Sequence, residues 1–222
     1  MFQDRSEAGR RLAGRLFRFK GRRPVVLALP RGGVPVGFEI ASALEAPLDL
    51  VLVRKIGAPS QPELAVAAVV GGPEPQTVVN EDVMRTLGLS EAYIEEQSRH
   101  QLAEIERRRR LYLGGRARAD VKGRTAIIVD DGIATGATIR AALKATRRAA
   151  PERLVLAVPV APPDTIRALR AEADEIECLS TPGVFGAISV FYADFHQVGD
   201  DEVIDLLARA AGPGASGKAA LR

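Results

Sequence analysis

The chain has one cysteine, Cys178, in 222 residues. That excludes an intrachain disulfide, and one chain cannot build a thiolate metal site from it. No apolar run approaches the roughly eighteen residues that a membrane helix requires. The opening Met-Phe-Gln-Asp-Arg-Ser-Glu carries acids where a signal peptide would be apolar. These absences predict a cytoplasmic protein that does not engage a membrane. Lysine is scarce, five among 31 basic residues, so arginine carries the positive charge. The net charge of +3 suits small anionic ligands and does not by itself indicate nucleic acid. His100 and His196 stand alone, without metal-ligand spacing. No GxxxxGK[ST] phosphate loop is present, and no GxGxxG run opens a helix after a strand, which argues against NTPase and dinucleotide chemistry.

What remains is ordinary globular composition, 46% hydrophobic and 27% charged, with enough length for one domain and a useful core. Apolar residues at Ala8, Leu12, Leu16 and Phe19 predict a helix over Asp4–Phe19, capped by Asp4 or Ser6. Strands are expected at Val25–Leu29 and Leu48–Val53, with a helix at Val34–Leu44 between them. Gly57, Pro59 and Pro62 predict a loop over Ile56–Pro62. A hairpin is expected from Leu64–Val70 and Thr77–Val79 across Gly71-Gly72-Pro73. Helices follow at Asn80–Leu87 and Ser90–Leu113, ended by Gly88 and Gly114-Gly115. Alternation then resumes with strand 125–129, helix 135–150, strand 153–158, helix 163–172 and strand 175–179, and Asp200–Glu202 reads as a helix start. The tail, 212–222, is predicted to be disordered. Such alternation implies an α/β fold, an open, mainly parallel sheet with helices on both faces, interrupted by an insertion at 54–115.

The densest stretch is 126–139, Ala-Ile-Ile-Val-Asp-Asp-Gly-Ile-Ala-Thr-Gly-Ala-Thr-Ile. A buried strand ends in two carboxylates, Asp130 and Asp131, and a glycine-bounded turn with two threonines leads into a helix. Open α/β sheets bind ligands at that end of a strand. The turn offers helix-N-terminal N–H groups to a phosphate, and Thr135 and Thr138 add hydroxyl donors. The carboxylates would repel a phosphate unless they face sugar hydroxyls or a cation. A phosphorylated sugar, held by its diol and its phosphate, satisfies both demands. A side chain at Gly136 is expected to block the phosphate cradle.

The stretch Ile127–Thr138 resembles the phosphoribosyl pyrophosphate (PRPP) motif of type I phosphoribosyltransferases, a hydrophobic strand followed by two acids and Thr-Gly-x-Thr. The Asp-Asp-x-x-Ala-Thr-Gly-x-Thr pattern looks most like the adenine enzymes. Hypoxanthine-type enzymes carry an acid where this chain has Ala134. Two further segments fit the resemblance. Pro30-Arg31-Gly32-Gly33, directly after the first strand, resembles the family's pyrophosphate loop, where the Pro30–Arg31 peptide is expected to be either a non-proline cis bond or a trans bond that flips when pyrophosphate is bound. Arg54-Lys55, expected at the end of the second strand, resembles the anion clamp of adenine and orotate enzymes.

The resemblance implies a single domain over 1–211, with its core at about 21–180 and a small hood from 1–20 and 181–211. It implies a mobile loop within the insertion, in which Glu63 is the only acid and would accept a proton from the base. PRPP would bind through Arg31, Gly32, Gly33 and the run Asp130, Asp131, Gly132, Ile133, Ala134, Thr135, Gly136, Ala137 and Thr138. Catalysis would rest on Asp130, Asp131, Arg54, Lys55 and Glu63. Mg²⁺ would arrive with PRPP, with no direct protein ligand and at most water bridges to the two aspartates. A nucleobase-like acceptor and pyrophosphate complete the partners, and a homodimer is allowed. Phe185, Phe191, Tyr192 and Phe195 are expected to serve the hood's core more than a base. Arg107–Arg110 cannot form one helix face and reads as a solvated helix end, where cations are favourable. The alternative function is a PRPP-sensing regulator that binds nucleic acid. It requires a contiguous basic face, which the scattered arginines do not favour.

Overall fold

The computed structural model describes residues 1–59 and 61–211, the side chain of Glu63 excepted; the tail predicted to be disordered lies outside them. Helix α1 (Arg5–Leu16) runs through a 3-10 turn, Phe17–Phe19, to β1 (Pro24–Ala28), α2 (Gly33–Leu44) and β2 (Leu48–Leu50). The insertion holds β3 (Val53–Ala58), β4 (Gln61–Val70), β5 (Gln76–Val79), α3 (Glu81–Thr86) and α4 (Glu91–Leu113). There follow β6 (Thr125–Val129), α5 (Ala137–Arg148), β7 (Arg153–Val160), α6 (Pro163–Leu169), β8 (Glu175–Ser180) and α7 (Asp200–Ala210). The helix starts follow capping chemistry. Asp4 accepts the Glu7 N–H at 2.7 Å, and Ser90 accepts that of Tyr93 at 3.2 Å.

Five strands form one parallel sheet in the order β2-β1-β6-β7-β8. Their near-continuous apolar sequences suit strands covered on both faces. Alternation assigns each side chain to a face: Val26, Ala28, Ile127, Val129, Val155 and Ala157 pack with α1, α2 and α7. Val25, Leu27, Ala126, Ile128, Leu154 and Leu156 pack with α5 and α6. The expected layering is therefore present, with revisions at the start of the insertion and just before it.

The strand expected at Leu48–Val53 is two strands. β2 stops at Leu50, and β3 starts at Val53 in a separate antiparallel sheet ordered β3-β4-β5. The loop expected at Ile56–Pro62 is mostly strand, the closed end of the β3–β4 hairpin. Gly57 lets the strands approach where a Cβ would collide with the Pro62 carbonyl, and register shifts on either side of Gly57 absorb the irregularity. Pro62 is tolerated because β5 pairs only with residues 67–70, leaving that end of β4 without a further neighbour. Tyr93 of α4 ties the hairpin down by donating its hydroxyl to Gly57 O at 2.9 Å.

The solvated helix end expected at Arg107–Arg110 holds only in part. Arg109 is buried, with Nη1 3.5 Å from Asp49 Oδ1 and Nη2 donating to Arg116 O at 3.1 Å. Asp49, also buried, accepts N–H bonds from Leu50 at 2.8 Å and Ala119 at 2.7 Å. This knot ties β2 to α4 and to the segment before β6. Removing one partner of a buried pair leaves the other charge uncompensated. Asp49→Ala should therefore cost about 3–5 kcal/mol, read as a lower urea midpoint. An unchanged midpoint would show that water reaches Arg109.

Candidate active site

Strands β1 and β6 are direct neighbours, in register from Pro24–Thr125 to Ala28–Val129. The loops after them, 30–33 and 130–136, consequently leave the sheet side by side at its carboxyl edge. The Leu29 N–H donates to Val129 O at 2.9 Å and extends the pairing into the loops. Gly33 and Val34 donate to Leu29 O at 3.0 Å and Arg31 O at 3.1 Å, so the start of α2 is already engaged. Of the 31–33 backbone, that leaves the N–H groups of Arg31 and Gly32 to meet an anion. The Pro30–Arg31 peptide is cis, the first of the two expected forms. Gly32 has no alternative, because a Cβ there would collide with the Asp131 carboxylate.

The second loop presents an open helix end. The first bond of α5 runs from the Arg140 N–H to Gly136 O at 2.8 Å, and no side chain caps the helix. The N–H groups of 137–139 therefore point into the turn, the arrangement that favours an anion. Thr165 of α6 holds the turn from behind through its hydroxyl to Ala134 O at 2.9 Å. Thr135 is exposed and Thr138 half-buried, both at the mouth. Ile133 is different, since its side chain is buried core and its N–H donates to Val160 O at 2.9 Å. Gly136 is also explained differently. It has φ +79, and a Cβ there would lie 2.9 Å from Thr165 Cγ2, on the supporting side rather than in the cradle.

Between these loops sit the two carboxylates. Asp131 is 8% exposed, and its Oδ2 accepts Arg5 Nε at 2.8 Å. Its carbonyl accepts the Tyr192 hydroxyl at 2.6 Å, and its N–H donates to Asp130 Oδ1 at 2.9 Å. Burial raises the Asp131 pKa above the ordinary value, against the opposing pull of the Arg5 guanidinium. Asp130 keeps some contact with solvent, yet its pKa is raised well above the usual carboxylate range. Burial is the main cause, and the neighbouring Asp131 charge adds to it. Burial likewise raises the Tyr192 phenol.

The cationic side comes from the insertion. Arg54 and Arg108 line a cleft of about 110 Å³ with Leu29, Pro30, Asp130 and Thr138. Gln101 orients Arg54 at 3.0 Å, and Glu104 orients Arg108 at 2.8 Å. Lys55, next along β3, is exposed and takes the opposite face from Arg54. Glu63 falls in β4, and its side chain lies outside the described residues. On the hood side, Arg5, Arg31, Gly32, Asp131, Phe195 and His196 help to wall a cavity of about 320 Å³. The hood aromatics mainly pack on one another, Phe185 with Phe191 and Tyr192 with Phe2 and Phe195 at 5.1–5.3 Å between ring centres. Arg31 also lies 3.6 Å from Asp200, which accepts the Tyr112 hydroxyl at 2.7 Å. Three residues at the site were not singled out as site candidates from the sequence: Arg5, Arg108, and Tyr192, which was expected to serve the hood's core. Arg5 and Tyr192 are far from the motif in sequence, and Arg108 is hidden in a run of four arginines.

Residues 3–196 match the family described as Phosphoribosyl transferase domain. The chain belongs to the phosphoribosyltransferase family. It is 48% identical over 210 residues to a Mycobacterium tuberculosis protein that carries phosphoribosyl transferase as a provisional name, in strains CDC 1551 and H37Rv alike. That match covers 95% of this chain but 47% of the relative, so the chain spans about half the length of the curated relatives it matches. Among solved structures, TT1426 from Thermus thermophilus is similar at 42% identity and TM-score 0.82, covering 96% of this chain and all of that one. AQ2163 from Aquifex aeolicus, at 11% identity and TM-score 0.50, covers 91% and 84% and shares the fold alone. Among the described residues, no helix is long and apolar enough to cross a membrane.

The carboxylate pair makes a stability prediction with a definite sign. Below the ordinary pKa of 3.8, Asp130 is protonated whether the chain is folded or unfolded. As pH rises past that value, the unfolded chain releases the proton while the folded site retains it, so Asp130 costs stability. Asp130→Asn keeps the oxygen that accepts the Asp131 N–H and removes the charge. The variant should melt higher than wild type at neutral pH, by about 1 kcal/mol in stability, with the gap closing toward acid. A gap that does not change with pH would contradict the assignment.

Proposed function

We propose that this protein transfers the 5-phosphoribosyl group of PRPP to a nitrogenous base, with release of pyrophosphate and with Mg²⁺ required. One observation carries the reading. A carboxylate pair, with Asp131 buried and Asp130 partly so, lies between an uncapped helix N-terminus and a glycine loop whose Arg31 and Gly32 N–H groups stay free of the helix start. That set of groups matches a phosphosugar with a second anionic group at C1.

Breaking the C1–oxygen bond develops positive charge on the ribose and negative charge on the departing pyrophosphate. The protein's task is mainly positioning and preorganised electrostatics. Asp130 and Asp131 accept the ribose hydroxyls and balance the cationic ring. The 132–138 turn holds the 5′-phosphate through backbone donors, Thr135 and Thr138. Arg31, the free N–H groups of its loop, Arg54 and Arg108 meet the leaving group. The acceptor enters beside Arg5 and Phe195. Among the described residues no cluster of three or more His, Cys, Asp or Glu is disposed to hold a metal. This donor set fits Mg²⁺ bound chiefly by substrate phosphates, with the aspartates reaching it through water. The ion would supply charge neutralisation to the pyrophosphate. Glu63 is the remaining candidate to take a base proton, and self-association into a homodimer belongs to the same expectation.

A screen of nitrogenous bases with PRPP and Mg²⁺, reading pyrophosphate release, tests the reading. At least one base should give turnover, and Asp131→Asn should lower kcat on the order of a hundredfold while the fold is kept, the usual loss for a transition-state contact. Wild-type turnover in the Asp130→Asn, Asp131→Asn double variant would remove the catalytic role of the pair. Tight, salt-sensitive nucleic-acid binding without turnover would support the regulator instead.

A further inference from the structure

Arg5 opens α1, the helix end at which a cation is least favourable. It is also only 6% exposed. Burying both members of an ion pair costs several kcal/mol of desolvation per ion, and an apolar replacement of similar volume is often as stable or more so. The surroundings are nevertheless built around a guanidinium. Nε donates to Asp131 Oδ2 at 2.8 Å, Nη1 donates to His196 O at 2.8 Å, and Cζ lies over the Phe195 ring, 3.8 Å from its centre. Gly32 gives up its side chain to leave room for the same carboxylate. Packing stability alone does not explain such a pair, whereas a task at Asp131 does.

We propose that Arg5 is a positioning residue for sugar recognition, fixing the Asp131 carboxylate so that Oδ2 is engaged internally and Oδ1 is left to accept one ribose hydroxyl. The inference rests on the reading of Asp131 as a diol acceptor. It gives the hood a second role: α1 and the 195–198 strap, which hold Arg5, also set the geometry of a sugar-binding group on the central sheet. Arg5 does not touch the sugar itself. Its effect should therefore depend on the hydroxyl that Asp131 contacts and on Asp131 being present.

The test measures binding of PRPP and of its 2-deoxy and 3-deoxy analogues to the full chain with Mg²⁺, by calorimetry. Wild type, Arg5→Met, Arg5→Lys, Asp131→Asn and the Arg5→Met, Asp131→Asn double variant are compared. A hydrogen bond to a charged group is worth enough that Arg5→Met should weaken PRPP roughly tenfold or more. One deoxy analogue should stay within about threefold of its wild-type affinity, because the contact Arg5 supports is already missing from it. Arg5→Lys should recover part of the discrimination, and Arg5→Met should add little in the Asp131→Asn background. Equal weakening of all three ligands, or additive losses in the double variant, would make Arg5 merely structural and overturn the proposal. If Arg5→Met does not fold, Arg5→Lys alone decides: reduced discrimination between PRPP and one analogue supports the proposal, and unchanged discrimination overturns it. Wild-type protein that binds no PRPP overturns the functional reading and this inference together, whereas PRPP binding indifferent to Arg5 overturns only the latter.

Discussion

The site depends on the parallel pairing of β1 with β6. Residues 24–28 lie against 125–129 without a register shift, so two loops far apart in sequence meet as backbone against carboxylate. A slip of one residue would turn every side chain of one strand to the wrong face. It would also remove Gly32 from Asp131. The buried alternation of β1 and β6 is therefore a condition of the site as much as of the core. The neighbouring elements then supply charge: α1 brings Arg5, and the insertion brings Arg54 and Arg108.

This arrangement carries local costs in stability. Burial and the neighbouring Asp131 charge raise the Asp130 pKa, and a cation at the start of α1 works against the helix dipole. Such local conflicts are expected at sites whose purpose is to meet a ligand. By contrast, the Asp49–Arg109 knot, neither member of which lines the cleft, joins its charges with backbone groups and serves assembly. Both are buried ion pairs, and what surrounds each one separates their purposes.

Much of this was legible in the sequence. Apolar runs at 25–29 and 126–129 ended in Gly-rich or acidic turns, and that pattern fixes strand, loop and helix with little room for alternatives. The PRPP-like run anticipated a strand that ends in two carboxylates and a turn that leads into a helix, because all its parts are local. The insertion was harder to read. Gly57, Pro59 and Pro62 look like loop residues, and only pairing with β4, together with the Tyr93 bond, keeps that backbone extended. Lys55 followed Arg54 in sequence, but strand alternation sends it to the other face. Arg5 was invisible for a related reason: its partners, Asp131, Phe195 and the His196 carbonyl, lie more than 120 residues away. Burial of an arginine is decided by tertiary contacts that no local pattern encodes.

The central claim is that the 30–33 and 130–138 loops form one phosphosugar site that needs both anionic ends of its ligand. Titrating the protein with PRPP and with ribose 5-phosphate, each with and without Mg²⁺, tests it most directly. The account predicts saturable binding of both ligands at one site per chain, with PRPP the tighter and only PRPP strengthened substantially by the ion. Absence of saturable PRPP binding, or affinities for the two ligands that are equal and indifferent to Mg²⁺, would contradict it.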